Sequence, residues 1–170
     1  MPQMLDPSFS GTLTYICEHN EQGAMGIIIN RPIELSLAEL LSQLELPLKG
    51  QEATIYAGGP VEQERGFILH NDTREWEASM ETSSSLKLTS SKDILQAISE
   101  DDGPDNFLIA LGYAGWSEGQ LEQELAENTW LFCPASHDII FHKKNHEKLP
   151  LAMSKMGIDL NQLSGQIGHA

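Results

Sequence analysis

Five apolar residues, Phe107-Leu108-Ile109-Ala110-Leu111, run without a polar break into Gly112-Tyr113-Ala114-Gly115-Trp116. Such a run, preceded by the breaker Asp101-Asp102-Gly103-Pro104, predicts a central strand. A strand of that kind needs neighbours on both sides and other elements packed above and below it, so the chain has to build a sheet with helices against it. The glycine-rich continuation reads as a turn, too rich in glycine for regular structure. Ser117 then reads as the cap of a helix, with Gln120 at the box position and Leu121 and Leu125 facing inward.

The remaining elements follow from the same signals. Thr12 to Glu18 alternates as a strand, with Leu13, Tyr15 and Cys17 on one face and Ile16 on the other. Ile27-Ile28-Ile29 is a second buried strand, stopped by Asn30-Arg31-Pro32. Ser36 and Glu39 form a capping box ahead of the stripe Leu37, Leu40, Leu41 and Leu44, and Pro47 ends that helix. Thr54 to Ala57 runs into Gly58-Gly59-Pro60, and Gly66 to His70 and Leu86 to Thr89 are further strands, the latter after a polar loop at Thr82 to Ser85. Ser90 or Ser91 starts a helix through Ile94, Leu95 and Ile98. Thr129 to Cys133 and Asp138 to Phe141 read as two more strands, and Leu149 to Met156 as a helix closed by Gly157. The tail from about residue 160 reads as loose. Helices and strands interleave without strict alternation, which predicts an α+β domain, 1–170, with a mixed sheet and packed helices.

The chain carries 25 acidic and 10 basic residues, a formal charge of −15. That field repels a phosphate backbone, and the short cluster His142-Lys143-Lys144 contains no arginine, so direct nucleic-acid binding is not expected. No run of about 20 apolar residues is present to cross a membrane, and the opening residues have no signal-peptide pattern. Cys17 and Cys133 are far apart and suit free thiols in a reducing compartment, so a cytoplasmic location is expected.

Four groups of residues could carry chemistry. Cys17 and His19 lie two apart on a strand and so share a face, the arrangement of a thiolate steadied by an imidazole. The plainer reading makes Cys17 a small core residue. His19, Asn30 and His70 each end a strand, where binding groups often gather, or else they bond loop backbone. Gly58, Gly59 and the stretch from Gly112 through Gly115 to Gly119 would let main-chain N–H groups approach a small ligand, although neither has the spacing of a nucleotide-binding loop. Tyr113, Trp116 and Gln120 would form one wall of such a pocket, with Trp116 as a core plug the alternative. No metal-ligand spacing and no cofactor motif is present.

Several motifs together resemble the bacterial AlgH/YqgE family. They are Asp6-Pro7-x-Phe9, Tyr15 to His19, Gly23-Ala24-Met25-Gly26, Asn30-Arg31-Pro32, Gly58 to Val61, Arg65 to His70, Gly112 to Trp116 with Gly119 to Glu124, Asn128-x-Trp130-Leu131 and Gly168-His169-Ala170. They run in order over essentially the whole chain. The resemblance implies a single α+β domain whose mixed sheet is partly barrel-like, and a label of transcriptional regulator with no established reaction. It also implies a short apolar segment ahead of the Met1-Pro2 that opens this chain. Either the native start is Met1, or a strand is missing and its neighbour is left as a bare edge. The functional expectation is a non-catalytic binding or regulatory protein acting on an unknown protein or small molecule; the alternative is a thiol enzyme or redox sensor centred on Cys17 and His19.

Overall fold

A computed structural model describes residues 9–82 and 84–158. The expected loose tail and the motifs at Asp6-Pro7 and Gly168 to Ala170 lie outside the described residues, as does Ser83 in the polar loop. In chain order the elements are β1 (Thr14–Asn20), β2 (Gly23–Ile28), β3 (Pro32–Ser36), α1 (Leu37–Gln43), β4 (Thr54–Ala57), β5 (Val61–His70), β6 (Ser79–Glu81), β7 (Lys87–Thr89), α2 (Lys92–Ser99), β8 (Phe107–Trp116), α3 (Gln120–Ala126), α4 (His137–His142) and α5 (Asn145–Lys155).

The strands join in the order β1-β2-β8-β5-β7-β6, with β4 against β8 and β3 against β4. All pairs are antiparallel except β4 with β8, so the sheet is mixed. Its centre is β8, which does not stop at Leu111 as the glycine content predicted. Gly112, at φ +81°, kinks the strand, and β8 continues to Trp116. Its first half pairs with β4 at Ile109 to Leu111, its second half with β2 at Ala114 to Trp116, and β5 runs along the other side. Where β2 meets β4, Ile28 N–H donates to the Gly58 carbonyl at 2.8 Å. No room for a side chain exists at this junction: a Cβ on Gly58 would sit 2.4 Å from the Gly112 oxygen, and one on Gly59 2.1 Å from the Tyr113 carbonyl carbon.

Alternation along the strands divides the core. Phe67, Leu69, Leu108 and Ala110 join Tyr15, Cys17, Ile27 and Ile29 on one face. Ile68 and Ile109 point to the other, where Leu37 and Leu41 of α1 and Ile94, Leu95 and Ile98 of α2 cover them. Beyond the kink, Ala114 and Trp116 pack with Leu121 of α3 and with Trp130. Each face thus obtains the burial that an apolar strand needs.

Local signals succeeded where the backbone itself supplied the bond. Ser36 Oγ accepts from Glu39 N–H at 3.0 Å, as a cap should. Ser91 is the N-cap of α2. Ser117, by contrast, is not a cap: Gly119, left-handed at φ +73°, occupies that position. The Ser117 N–H instead donates to Gln120 Oε1 at 2.9 Å, closing a turn before the helix. Thr129 to Cys133 is not a strand, since Asn128 turns left-handed at φ 59° and the chain runs on as coil. Asp138 to Phe141 is helical within α4, where Ser136 Oγ accepts from Ile139 N–H at 3.3 Å. Its β-branched residues favour a strand in isolation, but Ile139 and Ile140 are both buried within this helix, and burial overrides propensity. α5 starts at Asn145, four residues earlier than the leucine at 149 implied, and takes Pro150 into its second turn. Two short strands, β3 and β6, had no apolar run to announce them.

Candidate functional site

β1 lies at the margin of the sheet; among the described residues it pairs with β2 alone. Its side chains divide as the alternation predicted. Tyr15 and Cys17 enter the core with Ile27 and Ile29, while Ile16 packs towards Trp116 and Trp130. A bulge between Ile16 and Glu18 breaks the alternation at the far end. That shift separates Cys17 from His19, which were expected to share a face: the thiol is 4% exposed, whereas His19 is exposed and pairs with Glu122 of α3.

Against this strand lies a cleft of about 1030 Å³. One wall is β1 with the residues leading into it, from Thr12 to His19; the other is the coil from Trp130 to Ser136 with Leu149, Ala152 and Met153 of α5 and Met156 that caps it. Leu121 and Leu125 of α3 close one end, and Ile29 and Ile140 lie at its base. Trp116 and Trp130 meet edge to face at 5.5 Å beside it. On the coil, Leu131 and Phe132 are exposed, Phe132 by 72%. A concave, mainly apolar surface with few polar groups has the makeup of a binding site.

Of the residues singled out from sequence, the structure brings Cys17, His19 and Trp116 to this cleft. It does not bring Asn30, Gly58, Gly59, His70, Tyr113, Gly115 or Gln120 there. Asn30 ties loop backbone, accepting from Leu13 N–H at 2.9 Å and donating to the Gly11 carbonyl at 3.1 Å. His70 is fully buried: its Nδ1 accepts from Asp72 N–H at 3.1 Å, which leaves the proton on Nε2 to donate to Thr89 Oγ1 at 2.7 Å. Burial pushes its pKa down to about 4, so the ring stays neutral. The space around Gly58 and Gly59 is filled by the backbone of β8. Tyr113 packs edge to face on Phe67 at 5.6 Å, and a Cβ on Gly115 would meet only the Tyr113 ring, at 3.5 Å. Gln120 is committed to its turn with Ser117. The two glycine segments therefore approach each other rather than a ligand.

The thiols are not activated. Burial pushes the Cys17 thiol up to about 12, with Glu18 adding to the shift, and desolvation raises Cys133 as well. A thiolate is the reactive form, so neither environment favours nucleophilic chemistry near neutral pH.

One group went unnoticed in the sequence. Lys148 follows the basic run His142-Lys143-Lys144, yet it is 1% exposed, with Nζ donating to the Ile29 carbonyl at 2.7 Å and to Tyr56 OH at 3.3 Å. Tyr56 OH in turn donates to Asn145 Oδ1 at 2.6 Å. The available signal was helical spacing: 148, 149, 152 and 153 fall on one face, the face that packs inward.

An α+β protein with a mixed sheet, partly closed on itself, and an apolar cleft beside one edge strand is the class that fold and site define. The chain belongs to the AlgH-like family, whose profile matches residues 1–161. It is similar to the solution structure of the AlgH protein from Pseudomonas aeruginosa, with 48% identity and a TM-score of 0.81 over 100% of this chain and 92% of that one. A UPF0301 protein from Hahella chejuensis is 49% identical over 170 residues, covering 100% of this chain and 92% of the relative. One from Thiobacillus denitrificans is 48% identical over 172 residues, covering 100% and 93%. A Corynebacterium diphtheriae crystal structure, at 20% identity and a TM-score of 0.70 over 91% of this chain and 82% of that one, shares the fold. Among the described residues no helix is long and apolar enough to cross a membrane.

Proposed function

We propose that this chain is a non-catalytic binding protein that takes an apolar ligand or protein segment in the cleft between β1 and α5. The observation that carries the reading is the cleft itself, about 1030 Å³ and bordered by Trp116, Trp130, Leu125 and Met153, with the exposed Phe132 at its margin. A cytoplasmic, regulatory role fits this reading: an acidic chain with two free thiols acts on a pathway through a bound partner rather than by gripping DNA. The thiol-enzyme alternative loses support from the buried, undissociated state of Cys17.

The test is a titration with the apolar dye anilinonaphthalene sulfonate, followed by dye emission and by quenching of the tryptophans. Saturable binding of one dye per chain is expected, weakened severalfold by Phe132→Asp while the unfolding midpoint stays put. Binding that is absent, or indifferent to Phe132→Asp and to the tryptophan signal, would sink the cleft as the site.

A further inference from the structure

We propose that the cleft's occupant is an extended peptide segment, apolar on both faces and basic at one end, that adds to the sheet as a strand along the edge of β1 that no strand among the described residues pairs. The inference rests on the binding reading above and supplies the class of partner and the mode of contact.

Among the described residues three strands mark the margins of the sheet, and two of them are blunted. β3 opens on Pro32 and carries Glu34, and β6 is only three residues long. Proline, charge and shortness are the usual protections of an edge. β1 has seven residues, and its charge and its bulge are confined to the end from Cys17 to Asn20, so Thr14 to Ile16 keep an uncharged edge without proline, beside an apolar cleft instead of open water. In an antiparallel pair, alternate residues turn their N–H and C=O away from the partner strand. On β1 those groups face away from β2, and among the described residues no other main chain bonds them.

The side chains around the edge define what a pairing strand must carry. Its residues would alternate in the same sense as those of β1. One set would follow Tyr15 and Cys17 towards Ile140 and Met153, the other would follow Ile16 towards Trp130 and Leu125. Both sets meet apolar surface, so the segment is a continuous run of branched apolar residues rather than an amphipathic one. The bulge after Ile16 limits regular pairing to the first half of β1. At the other end Glu18 stands beside α3, which carries Glu122 and Glu124 and has no lysine or arginine. With the chain at −15 overall, that end attracts a basic flank. Main-chain pairing supplies affinity and the flank supplies orientation, as in other strand additions.

The test uses the full chain and a synthetic peptide of six valines and isoleucines with three lysines at one end. Two further peptides carry N-methyl groups on alternate residues, one in each phase, and a fourth replaces the lysines by glutamates. Tryptophan emission and hydrogen exchange of the amides from Thr14 to Glu18 are followed. The parent peptide should bind and slow exchange in β1. One methylation phase should weaken binding at least tenfold while the other is tolerated, and the glutamate peptide should also bind at least tenfold more weakly. If both methylated peptides bind like the parent, the cleft is a site but strand pairing is wrong. If no peptide binds and the apolar dye does, the strand inference falls alone; if neither binds, the binding reading falls with it. Protection, without peptide, of the β1 amides that face away from β2 would also overturn the proposal. Independent of concentration, it would assign the edge to a segment of the same chain; dependent on it, to a second copy.

Discussion

The Nζ of Lys148 donates to the carbonyl of Ile29 at 2.7 Å, joining α5 to the end of β2 beneath the apolar cleft. Among the described residues no carboxylate shares this bond: its other partners are the hydroxyl and ring face of Tyr56. A charge so placed costs the fold desolvation that hydrogen bonds repay only in part.

That cost makes a signed prediction. Burial lowers the Lys148 pKa from 10.5 to about 8, so between those values the unfolded chain holds the proton that the folded chain has lost. Stability contributed by this group therefore rises with pH, by about 2–3 kcal/mol between pH 7 and 10. Lys148→Met removes the charge but leaves the Ile29 carbonyl without its donor. The variant should be more stable than wild type by about 1 kcal/mol at pH 7 and less stable by pH 10. Urea unfolding of both chains at the two pH values checks it; a difference independent of pH would refute the assignment.

His70 works in the acid range. Its folded pKa, about 4 against 6.5, means that the unfolded chain binds more protons between those values, so stability falls as the pH drops. The loss should be about 2 kcal/mol from pH 7 to pH 5. His70→Gln should flatten that part of the profile, whatever its baseline cost. An NMR titration showing the imidazole protonating near 6.5 in the native chain would contradict this account.

Thiol labelling separates the binding reading from the redox one. At pH 8 the native chain should react with iodoacetamide at Cys133 before Cys17, with Cys17 at least tenfold slower than in urea, because it is buried and its thiol does not dissociate. Mass spectrometry of digested samples reads both sites. Rapid native labelling of Cys17 would revive the thiol sensor.

The glycines give a paired test. Gly59→Ala drives a Cβ into the backbone at Tyr113 and should cost about 3 kcal/mol or prevent folding. Gly115→Ala meets only ordinary contact with the Tyr113 ring and should change stability by less than about 0.5 kcal/mol. Denaturant melts of the two variants settle the comparison. Equal tolerance would show that the strand junction does not need glycine.

What the sequence determined by itself is the part of the fold written in local patterns. The run from Phe107 to Leu111, the alternation from Leu13 to Cys17 and the cap at Ser36 depend on neighbours in the chain, and each folds as its pattern demands. The family, too, was legible from ordered motifs. Tertiary structure decided the rest, because it rests on contacts between segments far apart. Gly59 and Gly112 look like turn residues until two backbones are seen to touch there. Ile139 and Ile140 read as strand until both are seen buried within a short helix. Cys17 and His19 share a face in a regular strand, and the bulge at Ile16 to Glu18 parts them. The cleft was invisible for the same reason: its walls are β1 and α5, more than 120 residues apart in sequence, and only their packing encloses the space between them.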